Sequence, residues 1–108
     1  YKSESSKDIK MRVNRARRIQ FLRYRDFDIY SNAELTPRLI EKYCIFNQEC
    51  NQILELAFNK LGLSARAYAR ILKVARTIAD LDEKKNIEKQ HLLEAIQYRN
   101  LERKNWGY

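Results

Sequence analysis

Residues 63–82 read LSARAYARILKVARTIADLD, and this stretch decides the fold class. At about 100° per residue, Tyr68, Ile71, Leu72, Ala75, Ile78 and Ala79 fall on one apolar stripe of a helix. Arg66, Arg70, Lys73 and Thr77 fall opposite, within an arc of about 60°. Gly62 and Ser64 precede the helix as a left-handed stop and an N-cap. A rigid element therefore carries cations in its first turns, pointed away from its own core. Solvated surface is the ordinary fate of such a face. An anion on a neighbouring surface is the functional alternative. Arg76 and Asp80, placed toward the flank, have the i,i+4 spacing of a structural ion pair.

The same periodicity extends outward from this helix. Thr36-Pro37 is a start signal, since Thr caps and Pro occupies the first turn, where its missing N–H costs nothing. A short helix follows with Leu39, Ile40 and Tyr43 inward, ending near residues 44–46. Asn47 caps a further helix with the stripe Ile53, Leu54, Ala57 and Leu61. Upstream, Ser5 and Asp8 have capping-box-like spacing before a long polar helix that runs to Tyr24. Its apolar positions are thin: Ile9, Val13, Ala16, Ile19 or Gln20, Phe21 and Leu22. Downstream, residues 81–86 are a charged loop. A last helix buries Leu92, Leu93, Ala95 and Ile96. No strand and no repeat is found. The expectation is an all-α bundle of about five helices in one domain over residues 1–108. It divides into a basic first helix at 5–25, a connector at 26–35, a bundle at 36–99 and a frayed tail at 100–108 that contains Trp106.

Composition narrows the function. Only 2 glycines and 1 proline punctuate 108 residues, so no glycine-rich phosphate loop can be built. Of the net charge of +8, residues 7–25 supply +7, with eight basic side chains against Asp8 alone. Any argument for a polyanionic or acidic partner rests on that segment. Cys44 and Cys50 are too few for a zinc site and read as small reduced hydrophobes, consistent with a cytoplasmic protein. There is no transmembrane run and no signal-peptide core. The chain does not begin with Met and reads as part of a longer protein. His91, at the start of the last helix, reads as a capping or surface residue. No catalytic constellation and no metal-ligand set is present. What remains is arginine: Arg66, in the first turn of a capped helix beside a short corner, suits bidentate contact with phosphate. Arg70 lies one turn on and can assist.

Several blocks of the sequence resemble a known family. They are Ser5-Ser6-Lys7-Asp8-Ile9-Lys10, Asn32-Ala33-Glu34-Leu35-Thr36-Pro37, Leu61-Gly62-Leu63-Ser64-Ala65-Arg66-Ala67-Tyr68, the run from Arg70 to Leu81, and His91-Leu92 with Glu94-Ala95-Ile96-Gln97-Tyr98-Arg99. Over about residues 5–104 the chain resembles the C-terminal domain of magnesium-chelatase-like AAA+ proteins of the YifB/ComM type. The resemblance implies a helical lid whose sensor 2 arginine, here Arg66, contacts the γ-phosphate of ATP. It also implies that the P-loop, and the ATP and Mg²⁺ it holds, belong to a core domain outside these residues. The partners implied are that core and neighbouring subunits of a ring, with helicase or branch-migration activity in the parent. One departure is Ala69, where an acidic or polar residue is expected.

A second reading makes the first helix a nucleic-acid-binding module using Arg12, Arg15, Arg17, Arg18 and Arg23. Against it, the basic residues are spread around the helix, and Phe21 and Tyr24 are expected to pack rather than to stack on bases. On the competing expectation these arginines face acidic surface of the adjoining core or subunit.

Overall fold

Five helices follow one another in the computed structural model, which describes residues 5–105, with side chains through Asn100. They are α1 (Ser6–Tyr24), α2 (Pro37–Tyr43), α3 (Gln48–Leu61), α4 (Ala65–Leu81) and α5 (Lys89–Asn105). A 3₁₀ turn, Asn32–Glu34, interrupts the connector between α1 and α2. No strand occurs among the described residues.

The helix starts follow the local chemistry. Ser5, Thr36, Asn47 and Ser64 each accept a hydrogen bond from the backbone N–H three residues on, which satisfies one orphan donor per helix. Gly62 stops α3 at φ 59°, the left-handed conformation that an L side chain resists. A Cβ at Gly62 would meet nothing within 4 Å, so backbone geometry alone demands the glycine. The 3₁₀ turn has its own box: the Glu34 carboxylate accepts from the N–H groups of Tyr30 and Ser31.

Helix α4 is the hub. It packs against α5, α1, α2 and the 3₁₀ turn, while α3 packs on α5. Ile71, Leu72, Ala75 and Ala79 of α4 are buried with Leu35, Leu39, Ile40, Leu54, Ile87, Leu92 and Ala95. Cys44 and Cys50 are free and buried in this core. Burial pushes the Cys44 thiol up to about 11. The Ile87 N–H donates to Ile45 O, tying the entry of α5 to the exit of α2.

Several apolar positions depart from expectation. Leu93 is 41% exposed because it lies on the flank of α5, beside the line of His91, Leu92 and Ala95. Leu61 is 38% exposed although it continues the α3 stripe. Burial along α3 falls from Cys50 and Leu54 to Phe58 and Leu61, so the helix leaves the core toward its end. On α1 the buried residues are Ala16, Gln20 and Tyr24, whereas Ile9, Phe21 and Leu22 are exposed. Helix α5 continues through Asn105, into the stretch expected as tail, and Trp106 lies outside the described residues.

Candidate functional site

The capped start of α4 places Arg66 and Arg70, both exposed, along one wall of a groove. Helix α5 brings Tyr98 and Arg99 to the opposite wall, and Ala67, Ile71, Val74 and Ala95 form the floor. This cleft encloses about 200 Å³ beside Ser64. It continues along α4 into a more open trough of about 560 Å³, lined by Ala69, Lys73, Thr77, Ile78 and Ala33 of the connector. Among the described residues no carboxylate lines either part. The sequence singled out Arg66 and Arg70. It did not single out Tyr98 and Arg99 as site residues, because only the packing of α5 on α4 brings them there. Among the described residues no group of three or more His, Cys, Asp or Glu is placed to hold a metal ion.

Arg66 stands against a local rule. The N-terminal end of a helix carries partial positive charge, which favours acids and opposes cations. The first turn of α4 has no acid and carries Arg66. The placement weakens the helix and creates an electropositive corner, which an anion would relieve.

Further along α4 the polar chemistry turns inward. Arg76, expected at the flank, is 1% exposed. Its guanidinium donates to the carbonyls of Tyr43 (3.1 Å), Lys85 (2.8 Å) and Lys84 (2.7 Å) and pairs with Asp80 at 3.1 Å. It thereby brackets the end of α2 and the loop before α5. Asp80 is also fully buried and takes a second guanidinium from α1. Arg23 donates Nη2–H to Oδ1 at 2.6 Å and Nη1–H to Oδ2 at 3.0 Å. That carboxylate holds the Arg23 guanidinium more firmly protonated than usual, although burial opposes it. Asn32 joins the cluster by donating to Asp80 Oδ2 (2.9 Å) and Thr77 Oγ1 (3.0 Å) and accepting from the Tyr24 hydroxyl. Its N–H donates to Gln20 Oε1 at 3.1 Å. The polar helix α1 is thus docked largely through Gln20, Arg23 and Tyr24.

These contacts redistribute the basic residues of α1. Arg23 is structural. Arg15 lies 3.5 Å from Glu83, both exposed. Arg12 is half-buried and engaged in interactions of its own. Arg17 and Arg18 are exposed. Phe21 is 55% exposed rather than packed, whereas Tyr24 is buried as expected.

His91 is a buried capping residue. Its Nδ1 accepts from the Glu88 N–H at 2.9 Å, which leaves Nε2–H to donate to Asp82 at 2.8 Å. That bond holds the Asp82 carboxyl below the usual carboxylate range. The imidazole pins the last turn of α4 to the first turn of α5.

Residues 3–99 match the family described as magnesium chelatase, subunit ChlI C-terminal. The chain belongs to that family. This ChlI C-terminal domain is 44% identical over 102 residues to "Uncharacterized protein YifB" of Salmonella typhimurium. It is 43% identical over 102 residues to "Competence protein ComM" of Haemophilus influenzae. It is 45% identical over 100 residues to the YifB protein of Escherichia coli. These matches cover 94%, 94% and 93% of the domain and 19% of each relative. The domain therefore corresponds to the C-terminal domain of YifB/ComM-type proteins and spans about a fifth of their length. Among the described residues, no helix of the domain is long and apolar enough to cross a membrane.

Proposed function

We propose that this domain is the helical lid of an AAA+ ATPase, with Arg66 as its sensor 2 arginine. The observation that carries the reading is Arg66 itself, an exposed cation in the acid-free first turn of α4, lining a groove together with Arg70, Tyr98 and Arg99. A guanidinium is always charged and clamps phosphate oxygens bidentately. Held on a rigid helix, Arg66 stabilises charge that develops on a γ-phosphate bound by the core domain. Arg70 assists from one turn along. The nucleotide, its Mg²⁺ and the attacking water are held by groups outside this chain. Movement of the lid with nucleotide state then passes to the core and to neighbouring subunits of a cytoplasmic ring. On the resemblance to YifB/ComM-type proteins, the parent is read as a motor that acts on DNA, as a helicase or in branch migration.

The test is steady-state ATP turnover and nucleotide affinity of a full-length protein carrying this domain, with Arg66→Ala. Removal of one preorganised charge donor is expected to lower kcat about 100-fold while nucleotide affinity changes only severalfold. Unchanged turnover in a folded variant removes the assignment and moves Arg70 to the front.

A further inference from the structure

The outer face of α1 is a second candidate surface, independent of the groove on α4. Lys7, Lys10, Arg17, Arg18 and Arg25 are all exposed, and among the described residues none of them has an acidic partner. At about 100° per residue, Lys7, Asn14, Arg18, Phe21 and Arg25 fall within one narrow outward strip, with Lys10 and Arg17 along one edge and Met11 and Leu22 along the other. From Lys7 to Arg25 the strip is about 27 Å long at 1.5 Å per residue. Apolar groups interrupt the cations: Phe21 is 55%, Met11 49% and Leu22 49% exposed. Phe21 lies one helical turn from Arg17, Arg18 and Arg25. Asp8 is the sole acid of α1.

This pattern restricts the partner. A row of cations needs a partner with repeated negative charge. An exposed aromatic ring set between them gains from a partner that also offers flat π-faces. A duplex hides its bases in the stack and gives Phe21 no π-face, and an acidic protein surface is the competing occupant that the polyglutamate competition below tests. A single strand offers phosphates and unstacked bases together. We propose that the outer face of α1 binds single-stranded nucleic acid, with Lys7, Lys10, Arg17, Arg18 and Arg25 on the backbone and Phe21 stacked on a base.

The probe is a fluorescein-labelled oligo(dT) strand titrated with the 108-residue chain, without nucleotide, and read by anisotropy. Five phosphate contacts give a log–log salt slope of about −3.5, so affinity is expected to fall about 100-fold between 50 and 200 mM salt. Arg18→Glu is expected to weaken binding about tenfold and flatten the slope. Phe21→Ala is expected to weaken it about fivefold or more at unchanged slope, which separates stacking from charge. Lys60→Glu, at the far end of α3, is expected to leave it unchanged. Circular dichroism checks that each variant folds. Absence of binding at low salt overturns the proposal. So does a duplex that binds as tightly with no effect of Phe21→Ala, and so does equal competition by polyglutamate, which would identify an acidic protein surface as the occupant.

Discussion

The two ends of α4 treat arginine in opposite ways. At the start of the helix, Arg66 and Arg70 stand exposed on a groove that has no carboxylate among its described lining residues. Toward its end, Arg76 is buried among three carbonyls and Asp80, and Asp80 also holds Arg23 of α1. Burial makes the difference. A guanidinium taken out of water must have its hydrogen bonds and countercharge supplied by the protein, so its surroundings become rigid. An exposed guanidinium such as that of Arg66 keeps its hydration until a better anion arrives. One end of the helix is therefore built for structure and the other is open to a ligand.

The largest test of this contrast removes the shared carboxylate. Asp80→Ala leaves two guanidinium groups, one of them 1% exposed, without their common partner. Breaking a buried ion pair from one side costs about 3–5 kcal/mol. Urea unfolding should show a loss of that size, a large share of a small domain's stability. A loss below about 1 kcal/mol would mean that the cluster is wet and the two ends of α4 are alike.

A middle-sized effect comes from the thiol beneath the cluster. Cys44 lies next to the end of α2, and burial holds its thiol protonated up to about pH 11, against an ordinary value of 9.0. The folded state thus keeps a proton that the unfolded chain releases. The stability this represents is complete below pH 9 and is lost as pH rises toward 11, at up to about 1.4 kcal/mol per pH unit. Tyr24, also buried and also raised, adds to the same alkaline limb. Unfolding measured from pH 8 to 11 should show a shallower limb for Cys44→Ala than for the parent chain. An identical limb would assign the whole alkaline loss to other groups.

The smallest expected effect is on stability at the open end. Arg66→Ala removes an exposed side chain from the start of a helix whose dipole it opposes. Its unfolding free energy should change by less than about 0.5 kcal/mol, even as turnover in a full-length protein falls. A loss comparable to that of Asp80→Ala would show that Arg66 is a structural residue like Arg76.

Caps, stops and helix periods were legible because they are local. Ser5, Thr36, Asn47, Ser64 and Gly62 each act within a few residues, and short-range chemistry is written directly in the chain. The stripe of α4 was legible because its two faces differ sharply. The stripe of α1 was not. Its docking rests on Gln20, Arg23 and Tyr24, polar groups that a hydrophobic pattern passes over. Phe21 was misplaced for the same reason: with so few apolar residues on α1, the true inward line could not be told from its neighbours. In the candidate site, Arg66 and Arg70 were visible as a basic arc on one helix. Tyr98 and Arg99 were out of reach because they enter from α5.

By itself, then, the sequence determined the number of helices, their starts and stops, the apolar face of α4 and the cationic face opposite. It also determined the family, through the block around Arg66 and the run to Leu81. Only the tertiary structure decided which charges are spent inside the protein and which remain for a partner. Arg23 and Arg76 meet at Asp80 across separations of 57 and 4 residues. No local pattern distinguishes Arg23 from Arg17 or Arg18 on the same helix. That distinction follows from how α1 crosses α4, because burial is a property of packed surfaces and not of positions in a chain.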